Sequence, residues 1–425
     1  MKLTIPVILK ILLLFFAIES LSSVFAGKLL AQTELTSLQF IDPKQKKVSF
    51  PFKFINNLII IPLQINNSGN LYFILDTGLN ISILTELSLG DSLSLNYTKQ
   101  VTIKGLGKGN PINALHSFGN VFQISGVKGN YMHIYIILQN VFNLSSMLGT
   151  RVHGLIGYNL FKEFVVEINY EKRIITLHKP DTYKTRHKRR SRTLPIILDK
   201  TKPYIYATVV MDNNEEVEVK LLIDTGASHS LWLDKSSNPS IKVPDKVRET
   251  YLGAGLNGEI HGLIGRINSI KIADFKFKNP IVAFPDSSSA SFSFGLNGRN
   301  GSLGSEILRR FDLVIDYPHG QITLTPNKYY RQPFKTNRSG IEITAPIPEF
   351  PHYTISTVKK NSPGDLSGLK AGDVLYSINH NPTKSMSIND IYQDLQGEPG
   401  KKIRIIVIRN GLYFLTYFYL EDLID

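Results

Sequence analysis

Two matching runs constrain this chain more than anything else in it. Leu221-Leu222-Ile223-Asp224-Thr225-Gly226-Ala227-Ser228 is echoed by Phe73-Ile74-Leu75-Asp76-Thr77-Gly78. Each is an apolar, strand-like stretch that delivers one aspartate into a Thr-Gly turn. Glycine allows a tight turn and a close backbone approach, and threonine offers a hydroxyl that can pin the loop. One Asp-Thr-Gly arises easily by chance in 425 residues, so the weight lies on there being two.

The two runs belong to a longer duplication. Asp76 and Asp224 are 148 residues apart, and Gly105 and Gly107 meet Gly253 and Gly255 at the same offset. Further on, Phe164-Val165-Val166-Glu167-Ile168-Asn169-Tyr170 meets Phe311-Asp312-Leu313-Val314-Ile315-Asp316-Tyr317 at 147. Ile175-Thr176-Leu177 and Ile322-Thr323-Leu324 keep that second offset. Collinear blocks with one residue of slippage imply two copies of one unit, each bringing one aspartate.

On these residues the sequence resembles the aspartic proteases of the pepsin and retropepsin group over roughly residues 57 to 328. The resemblance implies a mainly β fold of two similar, closed β-barrel lobes, each with an Asp-Thr-Gly loop and a glycine-containing flap hairpin. It also implies a later apolar-apolar-Gly strand beside each loop, which Leu155-Ile156-Gly157 and Ser302-Leu303-Gly304 fit. It makes Asp76 and Asp224 the catalytic pair, supported by Thr77, Gly78, Thr225, Gly226, Ser228, Gly157 and Gly304. Gly105, Gly107, Gly253 and Gly255 become flap positions facing substrate. No cofactor or metal is implied, the substrate is a polypeptide, and one chain suffices for a complete site. Leu79-Asn80 departs from the small residue and Ser, Thr or Asp usual after the first loop. That departure feeds the alternative of an inactive, peptide-binding scaffold built on protease-like lobes.

Length suggests two or three domains, and 42% apolar with 20% charged residues reads as globular. Met1-Lys2, the apolar Ile5 to Ala17 and Val24-Phe25-Ala26 read as a secretory signal peptide over residues 1–26. An exported, periplasmic, envelope-associated or secreted protein is therefore expected, with no membrane span after cleavage; Lys10 leaves the run short for one. The absence of cysteine excludes disulfides and thiol catalysis. Residues 27–56 read as a lead-in of low information. Lobe one is expected over 57–180, beginning with the hairpin Leu58 to Ile65 and Leu71 to Leu75 around Asn66-Asn67-Ser68-Gly69-Asn70. Lobe two is expected over 195–328.

Between them, 181–194 carries Lys184-Thr185-Arg186-His187-Lys188-Arg189-Arg190-Ser191-Arg192, six basic residues in nine. The net charge is +13, and these six account for much of it. A solvated, self-repelling connector is the favoured reading, with an anionic surface or a processing site as alternatives. No nucleic-acid partner is expected of an exported chain in which basic and aromatic residues do not interleave elsewhere. His153-Gly154-Leu155-Ile156-Gly157 recurs as His261-Gly262-Leu263-Ile264-Gly265 at a spacing of 108, which breaks the duplication register and reads as coincidence. Neither histidine has a second ligand at metal spacing. His229, just past the second aspartate, is either a pocket-lining or an exposed residue.

The C-terminal part, 342–425, changes character. Ser362-Pro363-Gly364-Asp365-Leu366-Ser367-Gly368-Leu369-Lys370-Ala371-Gly372-Asp373-Val374-Leu375-Tyr376-Ser377-Ile378-Asn379 resembles a PDZ domain, with Ile388 to Leu395 as its longer helix and Ile403 to Gly411 as its closing hairpin. The resemblance implies a small α+β domain that takes an extended peptide by adding a strand to a sheet edge. Pro351 withholds an N–H in the stretch 350–355, where a carboxylate would be cradled. Internal-strand binding, or docking on the protease lobes, is expected at least as much as capture of a free C-terminus.

Overall fold

The computed structural model describes residues 36–86, 93–103, 110–139, 142–185, 189–255, 258–286, 298–422 and 424. The fold is mainly β. The first half contributes β1 (Leu38–Phe40), β2 (Lys47–Pro51), β3 (Lys53–Ile55), β4 (Leu58–Ile65), β5 (Leu71–Leu75), β6 (Ser82–Leu84), β7 (Thr98–Ile103), β8 (Ile112–Ile124), β9 (Val127–Ile137), β10 (Gly154–Ile156), β11 (Val165–Asn169) and β12 (Ile174–His178). Short helices α1 (Leu144–Leu148) and α2 (Tyr158–Phe161) flank β10. One sheet runs β1-β9-β6-β10-β5-β4-β8-β7, and pairing of β8 with β9 closes it into a barrel. The expected hairpin is present, with Ile60 opposite Ile74 and the asparagine-rich turn at its tip.

The second half repeats this plan with β13 (Arg192–Pro195), β14 (Ile197–Asp199), β15 (Lys202–Val210), β16 (Glu216–Asp224), β17 (Leu231–Leu233), β18 (Val247–Gly255), β19 (Gly258–Arg266), β20 (Ser269–Ile272), β21 (Phe275–Lys278), β22 (Ile281–Pro285), β23 (Gly301–Gly304), β24 (Phe311–Asp316) and β25 (Gln321–Pro326), and with α3 (Ser305–Leu308). Its sheet runs β18-β19-β22-β17-β23-β16-β15-β20-β21. In both halves a late strand inserts between the two that flank the aspartate loop. β10 is parallel to β5 and antiparallel to β6, as β23 is to β16 and β17.

A third sheet, β13-β25-β24-β11-β12-β2, takes strands from both halves. At its centre Val166 faces Ile315, Glu167 faces Val314 and Ile168 faces Leu313. Those residues are each other's counterparts in the duplication, so a local two-fold axis passes through the Glu167–Val314 pair. One hydrophobic core, from Leu38 through Phe334, spans both halves.

Two sequence expectations need correction. The lead-in 27–56 is not featureless where described: β2 forms an edge of the shared sheet, and Leu38, Phe50 and Phe52 are buried. Its period-two pattern is too short to stand out beside Lys44, Lys46 and Lys47. The connector 181–194 is also shorter than expected, because Arg192–Pro195 pairs with β25. Arg189 and Arg190 are exposed as anticipated, and 186–188 lie outside the described residues. So do residues 1–35, with the signal sequence. Among the described residues no helix is long and apolar enough to cross a membrane.

The C-terminal domain comprises β26 (Ile341–Thr344), β27 (Tyr353–Val358), β28 (Val374–Ile378), β29 (Asn381–Pro382), β30 (Lys402–Arg409), β31 (Leu412–Tyr419), α4 (Pro363–Leu366) and α5 (Ile388–Leu395). Alternate residues Ile403, Ile405 and Val407 of β30 turn inward and join Ile341, Ile343, Ile355, Ile391 and Leu395 in a separate core. Ser387 and Asp390 form a reciprocal cap that starts α5.

Candidate active site

Each aspartate ends a strand whose side chains are buried on both faces. Phe73, Ile74 and Leu75 precede Asp76, and Leu221, Leu222 and Ile223 precede Asp224, all nearly inaccessible. The turns that follow are locked to one another by their threonines. Thr77 Oγ1 donates to Ile223 O (2.6 Å) while Thr77 N donates to Thr225 Oγ1 (3.1 Å). Reciprocally, Thr225 Oγ1 donates to Leu75 O (2.8 Å) and Thr225 N donates to Thr77 Oγ1 (3.0 Å). Both threonines are fully buried. Four hydrogen bonds thus obey the same two-fold axis as the shared sheet, and each orphan polar group of one loop is satisfied by the other.

The carboxyl groups converge there. Gly78 N donates to Asp76 Oδ1 (2.7 Å), and the N–H groups of Gly226 and Ala227 donate to Asp224. A Cβ placed on Gly226 would fall 2.3 Å from Asp76 Cγ. One placed on Gly78 would lie 3.2 Å from Asp76 Oδ1 and 3.8 Å from Asp224 Oδ1. Oxygens of both carboxyls therefore sit within 4 Å of a common point, and only glycine leaves them room. Gly157 and Gly304 act one layer below. A Cβ on Gly157 would meet Asp76 O at 2.0 Å, and one on Gly304 would meet His229 O at 2.1 Å, because the inserted strands run directly under the loops.

Burial and the facing Asp224 push Asp76 up to about 7. Burial also raises Asp224, but Arg299 and Lys202 pull against it. Lys202 lowers Asp76 as well, so Arg299 is what favours the charged form of the second carboxyl over the first. Tyr317 closes the floor: buried, it donates to Thr77 O (3.4 Å) and stacks on Phe161 at 5.3 Å. Burial and the two aspartates hold its phenol well above the usual range, so it stays protonated.

Ser228 is placed beside the loop, and its backbone carbonyl accepts from Asn57 Nδ2 (3.1 Å). Leu79 keeps the backbone frame of Ala227. Its carbonyl accepts from Tyr158 N (3.0 Å) as that of Ala227 accepts from Ser305 N (2.8 Å), while its side chain joins an apolar cluster with Ile83 and Ala114. Asn80 is exposed. Gly253 and Gly255 lie on the β18–β19 hairpin, where a bulge follows Tyr251 and Gly253 adopts φ 142 with nothing near its missing Cβ. Gly105 and Gly107 lie outside the described residues.

His229 is neither free surface nor a titrating group. It shares a hydrogen bond with Ser302 Oγ (3.1 Å), stacks on Trp232 at 4.6 Å, and is pushed down to about 3 by burial. His153 Nδ1 accepts from Tyr72 N (2.8 Å), and His261 pairs with Glu259 (2.9 Å) on the β19 hairpin, so the repeated pentapeptide occupies unlike places. Sequence reasoning passed over Asn57, Lys202, Arg299 and Tyr317. Tyr317 was visible as a member of the repeat, whereas the other three carry no local signal.

A family model described as aspartyl protease matches residues 207–307, and one described as PDZ domain matches 354–409. The first spans Asp224, Gly253 and Gly255 of β18 and Gly304, and leaves the first aspartate loop outside. No curated protein matches the chain. The chain thus carries a region similar to an aspartyl protease domain at 207–307, followed by a C-terminal region similar to a PDZ domain at 354–409.

Proposed function

We propose that the protein is an aspartic endopeptidase of bilobal, pepsin-like arrangement in which Asp76 and Asp224 share one proton and activate a water molecule between them. The observation that carries this reading is the reciprocal threonine lattice, which holds both aspartate turns on one two-fold axis. Like charges this close cannot both ionise easily, the behaviour already known for the aspartic-protease dyad. Lys202 pulls on both carboxyls and Arg299 on Asp224, which biases the ionised form toward Asp224 and leaves the proton on Asp76 at mildly acidic pH. The macroscopic pKa values belong to the pair.

Asp224 takes a proton from water as its oxygen bonds to the peptide carbonyl carbon, and Asp76 gives its proton to the carbonyl oxygen. The resulting diol collapses: the C–N bond breaks, the amine leaves with the proton held by Asp224, and Asp76 recovers one from a diol hydroxyl. Water is consumed and both carboxyls return to their starting state. The retained backbone of the Leu79 loop supports this over an inactive scaffold. The flap hairpins would cover the substrate, and Met1 to Ala26 would direct export.

The test is incubation of purified protein with a peptide library from pH 4 to 8 beside Asp224→Asn and Asp76→Asn. Cleavage by the parent and at least about 1,000-fold less by either variant is expected. Full activity in a variant refutes the dyad. Export is tested separately by sequencing the mature N-terminus, expected at Gly27.

A further inference from the structure

The PDZ sheet ends at β26, the edge on which a strand-adding peptide would pair beside α5. That edge is already occupied by the chain itself. Ile341 N donates to Ser339 Oγ (3.2 Å), and Ile341 O accepts from Asn337 Nδ2 (2.7 Å). Ile343 N donates to the Tyr392 hydroxyl (3.1 Å), which in turn donates to Glu342 Oε2 (2.9 Å). Beyond the strand, Ala345 N donates to Ser146 O (2.8 Å) and Glu349 N to Gly149 O (3.2 Å), both on the α1 corner of the first lobe. Gly149, at φ 64, is wedged so that a Cβ there would be 3.6 Å from those of Ala345 and Ile388.

The contact continues from α5 toward the candidate site. Asn389 Nδ2 donates to Phe54 O (3.2 Å), and Asn389 Oδ1 accepts from Asn56 N (3.0 Å). Asn56 and Asn57 form the left-handed β3–β4 turn, at φ 46 and 64. From its far side Asn57 Nδ2 donates to Ser228 O (3.1 Å) and to Glu306 Oε2 (2.7 Å). Glu306 N and Ser305 N hold His229 O and Ala227 O, and Ser305 Oγ holds Thr225 O (3.0 Å). A single turn is therefore clamped by the PDZ helix on one side and by the second aspartate loop on the other.

We infer that the PDZ domain sets the second aspartate loop in place through this turn, with Asn389 and Asn57 acting as positioning residues for cleavage. The inference rests on the protease reading only for its kinetic consequence. A peptide that takes the β26 edge must first displace the Ser146–Gly149 corner, so occupancy of the PDZ groove and the setting of the loop are linked.

Hydrogen exchange on the full chain tests the coupling without needing turnover. Asn389→Ala is expected to speed exchange of amides in 224–230 at least threefold, while Lys53→Met, which removes the Lys53–Glu349 ion pair (2.9 Å) between lobe and PDZ domain, leaves them unchanged. In the cleavage assay, Asn57→Ala and Asn389→Ala should each lower kcat about tenfold with KM and the pH limbs unmoved. The double variant should be no worse than the poorer single one, and Asn389→Asp, which retains the acceptor for Asn56 N, should recover part of the loss. Unchanged exchange in Asn389→Ala, or kinetic losses that multiply, overturns the coupling. If the parent cleaves nothing, the protease reading fails while the exchange result still decides the relay.

Discussion

The two halves share a backbone and differ in what they press against it. In the first, Leu58, Ile60, Ile74 and Val152 form a small apolar cluster covered by Leu148 of α1. The matching positions of the second half are Lys202, Tyr204, Leu222 and Arg299. Tyr204 faces Leu222 as Ile60 faces Ile74, Lys202 faces Asp199 as Leu58 faces Ile55, and Arg299 and Val152 each stand two residues before their inserted strand. One duplicated frame thus carries an apolar layer under one aspartate and a basic layer under the other. The lesson is a division of labour: symmetry fixes where the carboxyls stand, and the asymmetric layer, Arg299 above all, pulls on the second of them more than on the first.

The comparison is broken most severely at the turn glycines. Gly226 faces Asp76 at a depth where a methyl group would overlap the carboxyl carbon, whereas one on Gly78 would meet the two carboxyl oxygens and Leu222 Cδ2 at ordinary-to-tight range. Gly226→Ala should lower kcat/KM about 100-fold or more, and Gly78→Ala roughly tenfold or less. Equal losses would show that the two carboxyls sit symmetrically about their turns.

The threonines should behave in the opposite way, as equals. Removing either hydroxyl strands a buried N–H and a buried carbonyl in the other loop. Thr77→Ala and Thr225→Ala are each expected to lose about 2–4 kcal/mol in urea unfolding. A difference larger than about 1 kcal/mol would mean that the lattice is not shared evenly.

Much of this was legible from residue order. The register of the repeats picked out the two loops, the glycines beneath them and the two segments that meet at the centre of the shared sheet, because each depends on local pattern plus symmetry; that those segments pair with one another came only from the fold. The asymmetric layer was not legible. Lys202 opens an ordinary strand and Arg299 follows a polar, glycine-containing stretch, and neither differs in sequence from a solvated surface cation. Only the fold brings them toward Asp224. The lead-in failed for a related reason: β2 has meaning only against β12, more than a hundred residues away. Asn57 carries no local signal of its role, because its partner Ser228 lies 171 residues on.

The charge asymmetry has its own test. Lys202→Met removes one cation that favours ionised Asp224, so the acid limb of the pH–rate profile should move up by about half to one pH unit. Leu58→Met, the control at the apolar counterpart, should leave both limbs in place. An unmoved limb in Lys202→Met would assign the bias to Arg299 alone.

The remaining effect is on stability, and its sign follows from protonation. Asp76 rises from an ordinary 3.8 to about 7 on folding, so between those values the folded chain holds a proton that the unfolded chain has released. The stabilisation this group contributes is fully present below about pH 3.8 and is lost as pH climbs to about 7. Asp76→Asn has no charge to bury, so at pH 8 it should be more stable than the parent by about 1–3 kcal/mol, with no gain at pH 3.5. Part of the full linkage is forfeited because the amide oxygen accepts less strongly from Gly78 N than a carboxylate does. Asp224→Asn should gain less at pH 8, because Arg299 and Lys202 already offset the charge it removes. Melting temperatures of the three proteins at the two pH values separate the outcomes. An equal gain in both variants would mean that the basic layer of the second half does not reach its aspartate.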